Sequence, residues 1–447
     1  MSNAPAGAVK LTVREQARAA RAAARKLALL SNETRNAVLL DVAKRTELNV
    51  ARIQAANAED CKAAEELVRS GKLSTAALAR LRVSGKTILE MVQRLNEVSR
   101  LDDPIGIRLA TTELDEGLIL YKESCPLGVV AVVFESRPDV VPQVAALAFK
   151  SGNAVLLKGG AEAARTNEVL VELWRDSLYH LGAVPVDAVA LLQSRGDVME
   201  LLQLKRDVDL IVPRGGREFV EYISANSKVP VLGHGEGICH VYVDRAADLS
   251  MANAIVVDAK TQYPAACNSV ETLLVHQDVA AEFLPQIATS LTAMGVELRG
   301  CERTQAILRE ANLKNATAED WATEYSDLIL AIRVVDSLDE ALEHIAEYGS
   351  LHTEAIVTKD AAAAQRFLYE VDAAGVYHNV STRFADGYRY GLGSEVGISN
   401  SKLHARGPMG MEGLTTYKYK LVGDGHVVAM YERGDKILKP RKLPPGF

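Results

Sequence analysis

A single cysteine, Cys267, stands in the stretch Tyr263-Pro264-Ala265-Ala266-Cys267-Asn268, where an amphipathic segment beginning at Asp258 gives way to an apolar run ending at Val275. Pro264 breaks a helix, so the thiol falls at a helix-to-strand junction, with small neighbours that leave its sulfur uncrowded. A thiolate in such a place attacks a carbonyl carbon well. The oxyanion that results needs N–H donors, which a junction with free backbone amides supplies, and the Asn268 side-chain amide is a further donor. The alternative is that Cys267 is a small buried hydrophobe, as most free cysteines are, and the stretch alone leaves both readings open.

The elements that must position this thiol belong to a large soluble chain. At 447 residues, two or three domains are expected. An apolar fraction of 48%, a charged fraction of 24% and 31 glycines suit a globular enzyme rather than a fibrous or disordered chain. With 51 basic against 58 acidic residues and a net charge of −7, no Lys/Arg run tracks a phosphate backbone, which argues against nucleic acid as a partner. No run of about 20 apolar residues occurs, and Met1–Gly7 lacks the pattern of a signal peptide, so no membrane partner and a cytoplasmic location are expected. Five scattered cysteines without Cys-x-x-Cys spacing fit a reducing compartment, and nine histidines without clustered ligands argue against a catalytic metal.

From Arg14 to about Arg100 the periodicity is helical, with a start at Ser31-Asn32 and with Arg18, Arg21 and Arg25 on a solvated face. Ile107–Tyr121 alternates about an acidic turn, and Thr415–Tyr431 alternates about Gly423-Asp424-Gly425. Both read as hairpins that join in a small sheet, whose edges a second subunit covers. Between Pro126 and Pro230 apolar strands (128–134, 154–158, 188–192, 209–212) alternate with helices, which indicates a doubly wound parallel sheet. A second strand–helix series runs from Val229 to Asn379, with Cys267 between its first helix and the next strand, and a glycine-rich run from Gly387 to Gly413 reads as loops.

Two turns at the C-terminal edge of the first sheet suit a phosphate: Lys158-Gly159-Gly160, and Pro213-Arg214-Gly215-Gly216, which opens a helix. Neither is a Gly-x-Gly-x-x-Gly fingerprint, and tight connecting turns are the alternative.

Cys267, the Lys158-Gly-Gly turn and the second α/β series together resemble the aldehyde dehydrogenase superfamily. Within it, Val335–Ile356, with His344, Tyr348-Gly349-Ser350 and His352-Thr353-Glu354, is similar to the signature of the γ-glutamyl phosphate reductases. Phe134-Glu-Ser-Arg-Pro-Asp139, Leu156–Gly160, Tyr377–Phe384 and His404–Leu414 also resemble that family. The resemblance covers nearly the whole chain. It implies an aldehyde-dehydrogenase-like α/β fold of two doubly wound domains plus a small β-hairpin oligomerisation element. The implied NADP-binding domain spans 1–106 and 122–232, the hairpins span 107–121 and 415–432, and the catalytic domain spans 233–414.

By the same resemblance Cys267 is the nucleophile, Lys158 contacts the adenosine ribose or its NADP phosphate, Gly215 and Gly216 face the pyrophosphate, and Glu324 contacts the nicotinamide ribose. The oxidising dehydrogenases carry a general-base glutamate in a segment that aligns near Leu232-Gly-His-Gly-Glu-Gly237. Gly233 stands in its place here, with Glu236 nearby. Loss of that base suits an acyl-phosphate enzyme, which hydrolysis of the thioester would harm. The implied reaction is reduction of L-glutamyl 5-phosphate by NADPH through a Cys267 thioester. The Cys267 N–H and a side-chain donor, Asn268 or Ser136, would hold the oxyanion. Arg137, Arg383, Ser381 and Thr382 are candidates to grip the substrate, while His344 and His352 brace loops. The implied partners are a second copy of the chain and a glutamate kinase on another polypeptide. An oxidising hydrolytic dehydrogenase, a non-enzymatic nucleotide-binding scaffold and a cysteine hydrolase are the competing readings.

Overall fold

The computed structural model of the chain describes residues 11–182, 184–192, 196–233, 236–309 and 313–444. Met1–Gly7 and the His234-Gly235 portion of the Gly233–Gly237 segment lie outside the described residues. The chain divides into two compact units: Met1–Leu232 with Gly393–Gly397 and Met409–Phe447, and Gly233–Leu392 with Ile398–Pro408.

The first unit opens with helices Val13–Leu27, Asn32–Leu48, Val50–Arg69, Thr75–Leu81 and Gly85–Arg100. Their starts are set by side chains: Thr12 and Glu15 close a capping box, and Ser31, Ser74 and Ser84 each accept the N–H of the residue three positions on. The alanine face of the first helix (Ala17, Ala20, Ala24) packs with Val129, Ala131 and Leu156 of a four-stranded parallel sheet. That sheet runs in the order Val189–Leu191, Ala154–Lys158, Val129–Phe134, Leu210–Arg214. Every residue of Val129–Phe134 is buried, as a strand covered on both faces must be. Val229–Leu232, expected to open the second strand–helix series, instead contributes a single bridge from Val231 to Ile211 of this first sheet.

Arg21 is not on a solvated face, as its spacing suggested. It donates to Asp209 Oδ1 at 2.9 Å, while Asp209 Oδ2 accepts the Val129 N–H at 2.8 Å. One carboxylate therefore ties the first helix to the start of the central strand.

A separate antiparallel sheet has the order Thr415–Val422, Leu118–Pro126, Arg108–Asp115, Arg441–Leu443 and belongs to the same unit. Residues 415–432 are not a hairpin. Thr415–Val422 pairs with Leu118–Pro126 along its length, the segment beyond the Gly-Asp-Gly turn contains the helix Val428–Glu432, and Arg441–Leu443 supplies the last strand. Two glycines about one acidic residue let the chain leave the strand direction without returning beside it.

The second unit holds a seven-stranded sheet, all parallel, in the order Leu313–Asn315, Glu297–Gly300, Ile329–Val335, Val270–His276, Cys239–Val243, Thr353–Val357, Gly375–His378. Helices Leu249–Thr261 and Gln277–Ala293 cover one face, and Leu338–Tyr348 and Ala361–Glu370 the other. The strands Glu297–Gly300 and Leu313–Asn315 were not anticipated; each is too short to show a hydrophobic period. Residues 393–397 and 409–414, expected in the catalytic domain, belong to the first unit.

Gly128, at φ 128°, sits where an added Cβ would lie 2.3 Å from Asp209 Oδ2 and 2.8 Å from the Arg21 guanidinium. Gly128→Ala is expected to cost about 2–4 kcal/mol by combining backbone strain with loss of the Asp209 tie. The shift of the urea midpoint measures it.

Candidate active site

Cys267 lies between helix Leu249–Thr261 and strand Val270–His276, on successive turns in which Tyr263 O accepts the Ala266 N–H and Ala266 O accepts the Ser269 N–H. Its carbonyl meets the neighbouring segment Gly237–His240 at very short range. A Cβ at Gly237 would stand 1.9 Å from Cys267 O and 2.6 Å from its carbonyl carbon, so only glycine fits.

That segment is held by side chains along its length. Glu324 Oε2 accepts the Gly237 N–H at 3.0 Å. Ser350 Oγ accepts the Ile238 N–H at 2.9 Å and donates to Ile238 O at 3.3 Å. The Cys239 thiol donates to Cys267 O at 3.4 Å. Glu354 Oε2 accepts the His240 N–H at 2.7 Å and lies 2.9 Å from His240 Nδ1. Cys267, Gly237, Ser350 and Glu324 all precede strands, so Cys267 sits at the N-terminal edge of this sheet.

Asn268 is buried, and its amide nitrogen donates to Ala385 O at 2.7 Å, bracing the following loop. Ser381 caps the short turn Thr382–Phe384 by accepting the Arg383 N–H, and the Thr382 hydroxyl is buried with no partner among the described residues. Arg383 is buried and donates through Nε to Gln262 Oε1 at 2.9 Å. Burial and then Arg389 disfavour its charge, while Cys267 is close enough to favour it. Arg383 and the sulfur therefore sense each other electrostatically.

Beneath the cysteine, Lys260 Nζ and Glu271 Oε2 form a fully buried pair at 2.6 Å. Burial pushes the Glu271 carboxyl up to about 7 against the pull of Lys260, and pushes the Lys260 ammonium down. Glu271 is the extra residue where the pairing of Cys239–Val243 with Val270–His276 slips between Cys239 and His240. Such a bulge re-aims a side chain.

His344 stacks edge-on against His240 at 5.4 Å and Trp321 at 5.5 Å. Burial, then His240 and Arg333, push it down to about 2. Although His240, His344, His352, Glu354 and Cys239 lie close in this region, no three such side chains among the described residues are arranged to hold a metal ion.

The other candidates lie in the first unit, at the C-terminal edge of its parallel sheet. Lys158 ends its strand, is 6% exposed, and donates to Gly159 O at 2.5 Å. A Cβ at Gly159 would strike Asn167, and one at Gly160 would strike the Glu162 carboxylate. Arg214 ends the strand Leu210–Arg214, and Gly215 leaves no room for a Cβ beside Phe219 and Glu135. Gly216 opens the helix Arg217–Asn226 without any side-chain cap. An uncapped ten-residue helix entered through glycines presents free N–H groups to an anion, so these turns fit the phosphates of a dinucleotide.

Ser136, at φ 46°, donates through both N–H and Oγ to Glu162 Oε1, at 2.7 and 2.8 Å. Its one hydroxyl proton is therefore committed. The Arg137 guanidinium is half-buried and meets no acceptor among the described residues.

Sequence reasoning did not single out Cys239, Ser350, Glu354, Gln262 or Glu162. The signal for Ser350 and Glu354 lay in the Gly349–Glu354 signature. Cys239 and Gln262 carry none, because their roles depend on residues far away in the chain.

The family model described as the aldehyde dehydrogenase family matches residues 3–318. A gamma-glutamyl phosphate reductase from Synechococcus sp. is 53% identical over 427 residues, 96% of this chain and 93% of that protein. One from Natronomonas pharaonis is 51% identical over 93% of this chain and 94% of its own length. The chain belongs to the γ-glutamyl phosphate reductases of the aldehyde dehydrogenase family. Within that family, the crystal structure of the Thermotoga maritima reductase superposes with a TM-score of 0.89 at 39% identity, covering 93% of this chain and all of that one. An acetylating aldehyde dehydrogenase from Geobacillus thermoglucosidasius shares the fold at a TM-score of 0.64 and 17% identity. As a γ-glutamyl phosphate reductase the chain is an oxidoreductase of proline biosynthesis that uses a nicotinamide cofactor.

Gly237→Ala must displace the Cys267 carbonyl. A shift of about 1 Å at a reacting group costs on the order of 100-fold, so kcat/KM is expected to fall by about that factor in a variant whose circular dichroism is native. Because His344 is neutral when folded and charges at 6.5 when unfolded, the unfolded chain binds the extra proton below 6.5. This contribution is constant above 6.5 and is lost as the pH falls, by about 1.4 kcal/mol per pH unit. Urea titrations at pH 7 and pH 5 should show a smaller loss in His344→Phe than in the parent protein.

Proposed function

We propose that the chain reduces L-glutamyl 5-phosphate to L-glutamate 5-semialdehyde and phosphate, with NADPH as reductant and Cys267 as covalent nucleophile, the second step of proline synthesis from glutamate. The observation that carries this reading is the Cys267 peptide, fixed by Gly237 and Cys239 at the mouth of a strand in a chain about half identical to proteins of that name.

The Cys267 thiolate adds to the acyl carbon, a C–S bond forms, the bond from that carbon to the bridging oxygen breaks, and the oxygen leaves as part of inorganic phosphate with the electron pair. Arg383, buried beside Ser381 and Thr382, would bind the anionic substrate, and Arg137 offers a guanidinium that meets no acceptor among the described residues. Ser381 and Thr382 stand beside Arg383 to add hydroxyl contacts. Lys158, Gly159, Gly160, Arg214, Gly215 and Gly216 would hold the dinucleotide, with Glu324 toward the nicotinamide ribose. When bound, the cofactor supplies the hydride that reduces the thioester carbon. Collapse of the resulting thiohemiacetal returns the Cys267 thiolate and frees the semialdehyde. Gly233, in place of a general-base glutamate, leaves the thioester unhydrolysed.

We infer a homo-oligomer as well. Thr415–Val422 is an edge strand with Tyr417, Tyr419, Leu421 and Val422 exposed, and such edges are usually covered. The glutamate kinase that makes the acyl phosphate is taken to be a separate polypeptide and the location cytoplasmic. Among the described residues no helix is long and apolar enough to cross a membrane.

Reduction of NADP by pyrroline-5-carboxylate, the cyclised product, tests the reading in the reverse direction with and without inorganic phosphate. Phosphate-dependent turnover, faster with NADP than with NAD and lowered at least 1,000-fold in Cys267→Ala, is expected. Phosphate-independent turnover would indicate the hydrolytic dehydrogenase instead, and turnover retained in the variant would remove Cys267 from the chemistry.

A further inference from the structure

Cys239 is fully buried as the first residue of strand Cys239–Val243. Its sulfur has a polar group on each of two sides. Cys267 O lies at 3.4 Å and His352 Nδ1 at 3.8 Å. The His352 nitrogen is nearer to Thr353 Oγ1, at 2.9 Å, so the Cys239 proton is left for the Cys267 carbonyl. Burial, then the charge of Glu354, pushes the thiol well above its ordinary range, which keeps that proton in place at neutral pH.

The Cys267 C=O and the Asn268 N–H belong to one planar trans peptide and point in opposite directions. Anchoring the oxygen on Cys239 fixes the plane and turns the N–H away from the strand. Gly237, pressed against the same carbonyl, leaves the peptide no room to rotate. The Asn268 side chain is engaged with Ala385 O, yet among the described residues no acceptor meets its main-chain N–H.

We propose that Cys239 is a positioning residue for the acyl chemistry. Its S–H holds the Cys267–Asn268 peptide so that the Asn268 main-chain N–H, rather than the Asn268 side chain, donates to the oxyanion formed on the substrate. Hydrogen bonding at the carbonyl also strengthens the N–H of the same peptide as a donor. This inference rests on Cys267 being the nucleophile.

The test compares the intact protein with Cys239→Ala and Cys239→Ser by two rates. One is kcat of the phosphate-dependent reverse reaction. The other is alkylation of Cys267 by iodoacetamide, followed by peptide mass mapping; this displacement uses the same thiolate but builds no oxyanion. Cys239→Ala is expected to lower kcat about tenfold, leaving alkylation and NADPH affinity, read by cofactor fluorescence, within about twofold. Cys239→Ser, which keeps a donor, is expected to restore most of the loss. Unchanged kcat in the alanine variant would overturn the proposal. So would kcat, alkylation and cofactor affinity falling together without rescue by serine, which is the signature of a packing defect. Cys267→Ala, assayed alongside, separates the two levels: if it stays active the nucleophile assignment itself is lost, whereas if it is dead a negative result at Cys239 counts against the positioning role alone.

Discussion

The second unit is built around one close approach, that of the Gly237 backbone to the Cys267 carbonyl. A polypeptide backbone brought this near to another must have its polar groups met from elsewhere, because neither water nor a regular ladder reaches them. Glu324, Ser350 and Glu354 meet that requirement: Glu324 from the connection before Ile329–Val335, Ser350 from the connection into Thr353–Val357, and Glu354 from that strand itself. The Gly349-Ser350 pair follows from the same constraint. A Cβ on Gly349 would stand 2.5 Å from Ile345 O, so the turn that delivers the serine has room only for glycine. The buried Lys260–Glu271 pair, set by a bulge directly after the Cys267 turn, fixes the strand entry. Breaking either partner would strand a charge in a dry interior, so the pair constrains the geometry more than it stabilises the fold.

The two units use opposite ends of their parallel sheets. In the first, the glycine turns and the uncapped helix lie at the carboxyl ends of strands, where helix N-termini converge on an anion. In the second, the thiol and the groups that hold its peptide lie at the amino ends, where the preceding loops rather than helix dipoles set the field. A strand entry suits a nucleophile because its backbone is anchored within two or three residues on one side and its loop is open to shaping on the other.

Much of this was legible in the amino-acid pattern. Continuous apolar strands such as Val129–Phe134 and Val270–His276 announce a buried parallel sheet, and Pro264 with its small neighbours marks Cys267. What stayed hidden depends on distance through space. The tie between Arg21 and Asp209 reverses the reading of a basic face, and nothing within a helical period signals a partner nearly two hundred residues away. Ser136 is a plausible donor by type, yet Glu162 takes its proton. Asn268 sits next to Cys267 in sequence, but its amide turns to Ala385. Types and spacing indicate which groups can donate, whereas the bonds a group already makes decide whether it does.

The antiparallel sheet draws strands from both ends of the chain: Leu118–Pro126 waits for Thr415–Val422 as its neighbour. During synthesis at roughly 5–20 residues per second, that edge stands unpaired on the order of tens of seconds while the intervening unit emerges. The nascent chain therefore carries an open strand edge beside a folded α/β core for much of its time on the ribosome. A chaperone that shields such edges, or a slower passage through the last hundred codons, would bear on yield without touching any residue of the active site.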